Sequence, residues 1–222
     1  MSYILNIETA TKNCSVALAK DGKTLLCKEI AEEGYSHAER LHVFIEEIIA
    51  ESGIEMKDLV AIAVSQGPGS YTGLRIGVSA AKGLCYALNI PLIAIDTLQT
   101  LASKVKATDG LIVPMIDARR MEVYSAIFSA TLERKREVLA EIIDENSFAN
   151  FSEKLYFIGD CNEKCKDVLT KENFIFLDEI KYPSANEMSA LSFDKYKKND
   201  TVDVAYFEPY YLKDFLVTTS KK

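Results

Sequence analysis

The order of elements along this chain repeats. Ser2–Ile7 is a β-rich opening, and Cys14–Lys20 and Lys23–Ile30 flank Asp21-Gly22, a dipeptide that favours the tight turn of a hairpin. Ser36–Glu51 reads as an amphipathic helix, with Leu41, Phe44, Ile45, Ile48 and Ile49 at three- and four-residue spacing, stopped by Ser52-Gly53. Leu59–Val64 is an apolar run, read as a buried strand. Leu74–Leu88 is a helix rich in small residues, and Pro91–Ile95 is another buried strand. After a joining region, Thr97–Gly110, the pattern starts again. Leu111–Asp117 is an apolar strand ending in an acid, and Glu122–Thr131 with Lys135–Ile143 form a second hairpin. A shift of 109 residues places Glu8 on Asp117 and Val16-Ala17-Leu18 on Ser125-Ala126-Ile127. Glu145–Phe151, Cys161–Thr170 and Ser184–Ser192 read as helical, Leu155–Ile158 and Phe174–Leu177 as strands. Two βββαβα units imply an α/β chain of two similar halves, residues 1–105 and a reduced 106–222.

Composition narrows the function classes. With 48% apolar and 27% charged residues the chain is ordinary for a globular protein. No run approaches the ~18 apolar residues of a membrane span. Met1–Asn6 lacks a basic region and Glu8 follows at once, so a signal peptide is not expected and the cytoplasm is the expected location. Five scattered cysteines read as reduced thiols. The formal net charge is −7 and no long basic face is visible, so any contact with RNA is expected to lean on a partner.

The run Ser65-Gln66-Gly67-Pro68-Gly69-Ser70-Tyr71-Thr72-Gly73 sits between a strand and a helix. Backbone N–H groups at a helix start can hold an anion, with Thr72 as the expected cap. Known phosphate loops do not fit. Gly73 is followed by Leu74 where a P-loop needs lysine, and Gly67, Gly69 and Gly73 are spaced one residue too far for a dinucleotide fingerprint. The plainer reading is a tight turn that lets a small-residue helix pack closely. Glu8-Thr9, at the end of the first strand, and Arg119, at the matching place in the second half, complete a candidate anion-binding set of Glu8, Thr9, Gly67, Gly69, Ser70, Thr72, Gly73 and Arg119. Turns with solvated side chains are the plainer reading there too. His37 and His42, the only histidines, leave a helix about 140° apart and cannot share a metal. Cys161 and Cys165 share a helical face, but two thiolates are too few for zinc. No metal site and no catalytic residue is assigned.

Ile7-Glu8-Thr9-Ala10, the run Ser65–Gly77 with Ala81-Lys82-Gly83-Leu84, Pro91–Leu98, Asp117-Ala118-Arg119-Arg120 with Glu122-Val123-Tyr124, Pro183-Ser184-Ala185 and Pro209–Lys213 closely resemble the TsaB (YeaZ) family. The resemblance spans almost the whole chain. It implies an actin-like (ASKHA, ribonuclease H-like) α/β fold. It also implies a place in the bacterial machinery that forms N6-threonylcarbamoyladenosine in tRNAs reading codons that begin with A. The relative TsaD, the catalytic subunit, carries metal on two histidines. Their positions correspond here to Thr97 and Leu101, neither of which can replace imidazole. The resemblance therefore implies a non-catalytic accessory subunit, not an enzyme, and gives no support to an older glycoprotease label. It implies pairing with TsaD, or with a second copy of this chain, through two helices whose faces here hold Leu41, Phe44, Ile45, Ile48, Leu74, Gly77, Ala80, Ala81 and Leu84. The ATPase TsaE is expected to dock on the pair and tRNA to be reached through the complex. No tightly bound cofactor is expected, and ATP or ADP only weakly or at a complex interface. The alternative is an actin-fold nucleotide-binding phosphotransferase or ATPase using Glu8, Thr9 and the Gly67–Gly73 loop.

Overall fold

Strand β1, Tyr3–Glu8, is buried along nearly its whole length and lies at the centre of a five-stranded sheet. In this computed structural model, which describes residues 1–31 and 37–213, it pairs antiparallel with β2, Cys14–Lys20, and parallel with β4, Leu59–Gly67. The expected helix start at Ser36 and the basic tail Lys221-Lys222 lie outside the described residues. Strand β3, Lys23–Ile30, forms one edge with alternating exposure, and β5, Leu92–Asp96, lies beyond β4, giving the order β3-β2-β1-β4-β5. Asp21 and Gly22 both take positive φ between β2 and β3, as a two-residue hairpin turn requires. Both faces of the sheet are covered, which is why its middle strands read as unbroken apolar runs. Helices α1, His37–Ser52, and α2, Tyr71–Leu88, seal one face with Leu41, Ile45, Ile48, Val78, Ala81 and Cys85.

The second sheet has the same order: β6, Leu111–Asp117, is central, with β7, Glu122–Ser129, and β8, Arg134–Ile142, on one side and β9, Leu155–Gly159, and β10, Phe174–Phe176, on the other. The repeat read from the sequence is thus present strand for strand. Between the sheets, Thr97–Ala102 is a helix, α3, not part of an irregular joining region. The Asp96 side chain caps it by accepting from the Gln99 N–H at 2.8 Å, and Leu98 and Leu101 pack on Ile112, Ile116 and Ile158 of the second sheet. The far face of that sheet is covered by short turns. Residues 145–150 form turns where a helix was expected. Asp144 Oδ1 accepts from the Asn146 N–H at 2.9 Å, an Asx turn that competes with a helical start, and Phe148 adopts φ 59°. The helix expected over Cys161–Thr170 shrinks to α4, Asn162–Cys165.

Helix α5, Ala185–Lys197, returns to the first sheet. Ala185 and Met188 lie on Ile4, Ala17, Ala61, Ala63, Ile93 and Ile95, where the alanines let helix and sheet approach closely. A following strap also crosses the first half, with the Val202 N–H donating to the Leu92 carbonyl at 2.9 Å and the Tyr210 N–H to the Gln66 carbonyl at 2.7 Å. The expected division at residue 105 therefore assigns to the second half a segment, 185–210, that packs on the first.

Candidate functional site

The glycine-rich loop leaves β4 and meets the turn that leaves β1. The Ser70 N–H donates to the Ala10 carbonyl at 2.7 Å, the Thr9 hydroxyl to the Gly73 carbonyl at 2.8 Å, and the Gly67 N–H to Thr97 Oγ1 at 3.1 Å. A Cβ on Gly69 would collide with the Ala10 carbonyl, and one on Gly73 with the Thr9 carbonyl. The glycines bring two backbone stretches together, and Thr9-Ala10 occupies the space an anion would need. The cap of α2 is Ser70, whose Oγ accepts from the Gly73 N–H at 3.2 Å, while the expected cap Thr72 is exposed on the first turn. The close-packing reading of the loop is the one the geometry supports.

Glu8 is fully buried at this junction. One carboxylate oxygen accepts from the Ala10 N–H at 2.6 Å, and the other has no hydrogen-bond partner among the described residues. Burial pushes its pKa from 4.5 to about 7, against the pull of the Ala10 N–H, the adjacent Ser65 and Lys104. Around it the halves are stitched together. Asn13 Nδ2 donates to the Pro183 carbonyl at 3.0 Å, the Ala185 N–H to Ser15 Oγ at 2.8 Å, and Arg134 pairs with Asp96 at 2.8 Å.

In the second half, the turn after β6 has a different character. Arg119 and Arg120 have φ of 76° and 49°, the only consecutive non-glycine pair with positive φ among the described residues. Each such residue costs roughly 1–2 kcal/mol. The turn is braced from inside: Lys164 Nζ reaches Asp117 Oδ1 at 2.5 Å, the Arg120 carbonyl at 2.6 Å and the Glu122 carbonyl at 2.9 Å. The Arg119 N–H donates to Asp117 Oδ1 at 2.9 Å, and the Asp117 N–H to Asp160 Oδ1 at 3.0 Å. Both arginines are exposed, and neither guanidinium has an ion pair or hydrogen bond among the described residues. Among the described residues, no hydrogen bond or ion pair links Arg119 to Glu8, Thr9 or the glycine loop.

The helix faces need correction. Leu41, Ile45, Ile48, Leu74, Gly77 and Ala81 are buried against the sheet, because the single apolar stripe of an amphipathic helix faces the core. Phe44, Ala80 and Leu84 remain partly exposed. The outer face carries residues the sequence reading did not single out: Val43 at 38% exposure, Ser79, Gly83 with open space beside it, and Tyr86 at 86%. A lone tyrosine off the apolar stripe, three residues after a glycine, was the available signal. Thr97 is buried and holds the Gly67 N–H, and Leu101 is in the core. His37 Nε2 lies 2.8 Å from the Thr11 carbonyl, and His42 is exposed. Among the described residues, no three His, Cys, Asp or Glu side chains gather as a metal site, and no helix is long and apolar enough to cross a membrane.

Residues 29–216 match the family model described as TsaD, tRNA N6-adenosine threonylcarbamoyltransferase. The chain is 31% identical to the tRNA threonylcarbamoyladenosine biosynthesis protein TsaB of Escherichia coli, covering 95% of this chain and 94% of that one. It is 30% identical to the Bacillus subtilis TsaB, covering 95% and 93%. The solved structure of YeaZ from Pseudomonas aeruginosa superposes with a TM-score of 0.84 at 24% identity, covering 96% of this chain and all of that one. The two-sheet architecture is accordingly the actin-like α/β fold.

Proposed function

Since the chain belongs to the TsaB (YeaZ) family of tRNA threonylcarbamoyladenosine biosynthesis proteins, we propose that it acts there as a non-catalytic partner, pairing with TsaD through the outer face of α1 and α2 and supporting TsaE on the pair. The observation that carries this is the two-helix face itself. Val43 and Tyr86 stand exposed on helices that also carry the partly exposed Phe44, Ala80 and Leu84, and Gly83 leaves room for another helix to approach closely. A second copy of the chain occupies the same face when TsaD is absent. The non-catalytic reading is supported by Thr97 and Leu101, which are buried in structural roles where TsaD has metal-binding histidines. The phosphotransferase alternative loses support from the turn that fills the glycine loop. Any ATP or ADP is held weakly or at a complex interface, tRNA is met through the complex, and the protein works in the cytoplasm.

Light scattering on a sizing column tests the pairing, with the chain alone and then mixed with its own organism's TsaD. The wild type should give a heteromeric peak. Tyr86→Glu with Val43→Glu should abolish that peak, with a change of more than tenfold in apparent affinity and an unchanged circular dichroism spectrum. Pairing that survives both substitutions would sink this face as the interface. Micromolar ATP binding with turnover by the isolated chain would restore the enzyme alternative.

A further inference from the structure

We propose that the turn carrying Arg119 and Arg120 is an RNA-phosphate contact, a rigid two-guanidinium tip that the TsaD pair presents to the backbone of the tRNA. The inference rests on the functional reading above. Three observations carry it. First, the chain has six arginines. Arg75 lies on Tyr71, Arg134 pairs with Asp96 and Arg136 with Glu141, and Arg40 also has a partner. Of the six, Arg119 and Arg120 are the two whose guanidinium makes no hydrogen bond or ion pair among the described residues. Second, both sit in backbone conformations that L side chains rarely adopt, at a place where Asn-Gly would be unstrained. Strain held by a braced turn marks a position kept for what its side chains reach. Third, the brace removes competition. Lys164 takes Asp117 and two carbonyls of the turn, and Lys213 takes Glu122, so the nearest carboxylates are already engaged.

Two flat, permanently charged forks on adjacent residues suit phosphodiester oxygens, which they engage in bidentate fashion. An acidic protein surface is the competing class. It is disfavoured because the grooved side of the turn is lined by Asp144, Glu145 and Asp167, which would repel an acidic face laid across it. A nucleic acid touching only the tip at its phosphates escapes that repulsion. The contact is sequence-independent and adds grip and register to whatever TsaD reads.

The test measures binding of an unmodified tRNA transcript to the assembled pair across a salt series. Arg119→Glu with Arg120→Glu should weaken binding at least tenfold. It should also reduce the slope of log affinity against log salt by about 2, one for each lost phosphate contact. Arg119→Lys with Arg120→Lys should keep most of the slope. Arg119→Asn with Arg120→Gly relieves the backbone and removes the charge. It should raise the chain's Tm while lowering tRNA affinity, a combination that a purely structural turn does not produce. Equal affinity and slope in the wild-type and charge-reversed pairs overturns the inference. So does a loss confined to TsaE docking, or to ATP binding by the chain, with tRNA binding intact. A wild-type chain that never pairs with TsaD overturns the functional reading itself, which sets that failure apart from the others.

Discussion

The two halves share one strand order and use it differently. In the first, the turn after β1 is buried, crossed by the glycine loop and tied to α2 through Thr9, Ala10, Ser70 and Gly73. In the second, the matching turn is exposed, braced from its inner side by Lys164, and tipped by two arginines. The coverings differ as well. Helices of 16 and 18 residues lie on the first sheet, while turns and a four-residue helix cover the corresponding face of the second. A repeated topology therefore fixes the strand order and where the turn after the central strand falls, but not what covers the sheet or what that turn does. In one copy the turn closes packing, and in the other it displays charge.

The contrast can be broken most directly at the buried turn. Gly73→Val places carbon where the Thr9 carbonyl lies. Neither backbone stretch can move freely, so the expected loss is about 3 kcal/mol in chemical denaturation. A loss below about 1 kcal/mol would mean the turn yields, and the difference between the halves would be one of exposure only.

Glu8 sharpens the same comparison through pH. Its carboxyl pKa is raised in the folded state, from 4.5 to about 7, so folding favours the protonated form. The stability tied to that proton is fully present below pH 4.5 and is lost as pH rises through about 7, a change on the order of 3 kcal/mol. Glu8→Gln keeps a neutral side chain throughout. The variant should gain on the wild type steadily between pH 5 and 8, read from denaturation midpoints. A pH-independent gap between the two would show that Glu8 is not held neutral by its surroundings.

The smallest effect lies on α2 itself, where the glycine facing outward differs from the one facing inward. Nothing lies within 4 Å of a Cβ built on Gly83. Gly83→Ala should stabilise the isolated chain by about 0.5–1 kcal/mol, because alanine loses less backbone freedom in a helix. Its pairing with TsaD should weaken severalfold if a partner helix packs there. Unchanged pairing would move the contact away from that end of α2.

Much of this fold was legible because strands buried on both faces announce themselves, as Leu59–Val64 and Leu111–Asp117 do. Asp21-Gly22 announced its hairpin by turn chemistry. What was missed has local causes. Helix α3 is only six residues long, too short for a periodic signal, and its sign was the capping Asp96. The run 145–151 has a helical composition that the Asp144 turn overrides. For the site, the glycine run could be placed between strand and helix, but its spacing could not say that Thr9-Ala10 fills it. That pairing joins residues more than sixty positions apart. The apolar stripes of α1 and α2 were visible, yet Leu41 and Ile45 carry the periodicity because they face the sheet. The outward residues Val43, Gly83 and Tyr86 form no pattern of their own.

The return of α5 to the first sheet sets an order on synthesis. The face of that sheet formed by Ile4, Ala17, Ala61, Ile93 and Ile95 is complete once β5 has been made, but its cover is translated only after the entire second sheet. A growing chain thus carries an open apolar surface for about ninety codons. The second half folds while the first is still waiting for its lid, and truncation near residue 184 would damage the opposite end of the sequence first.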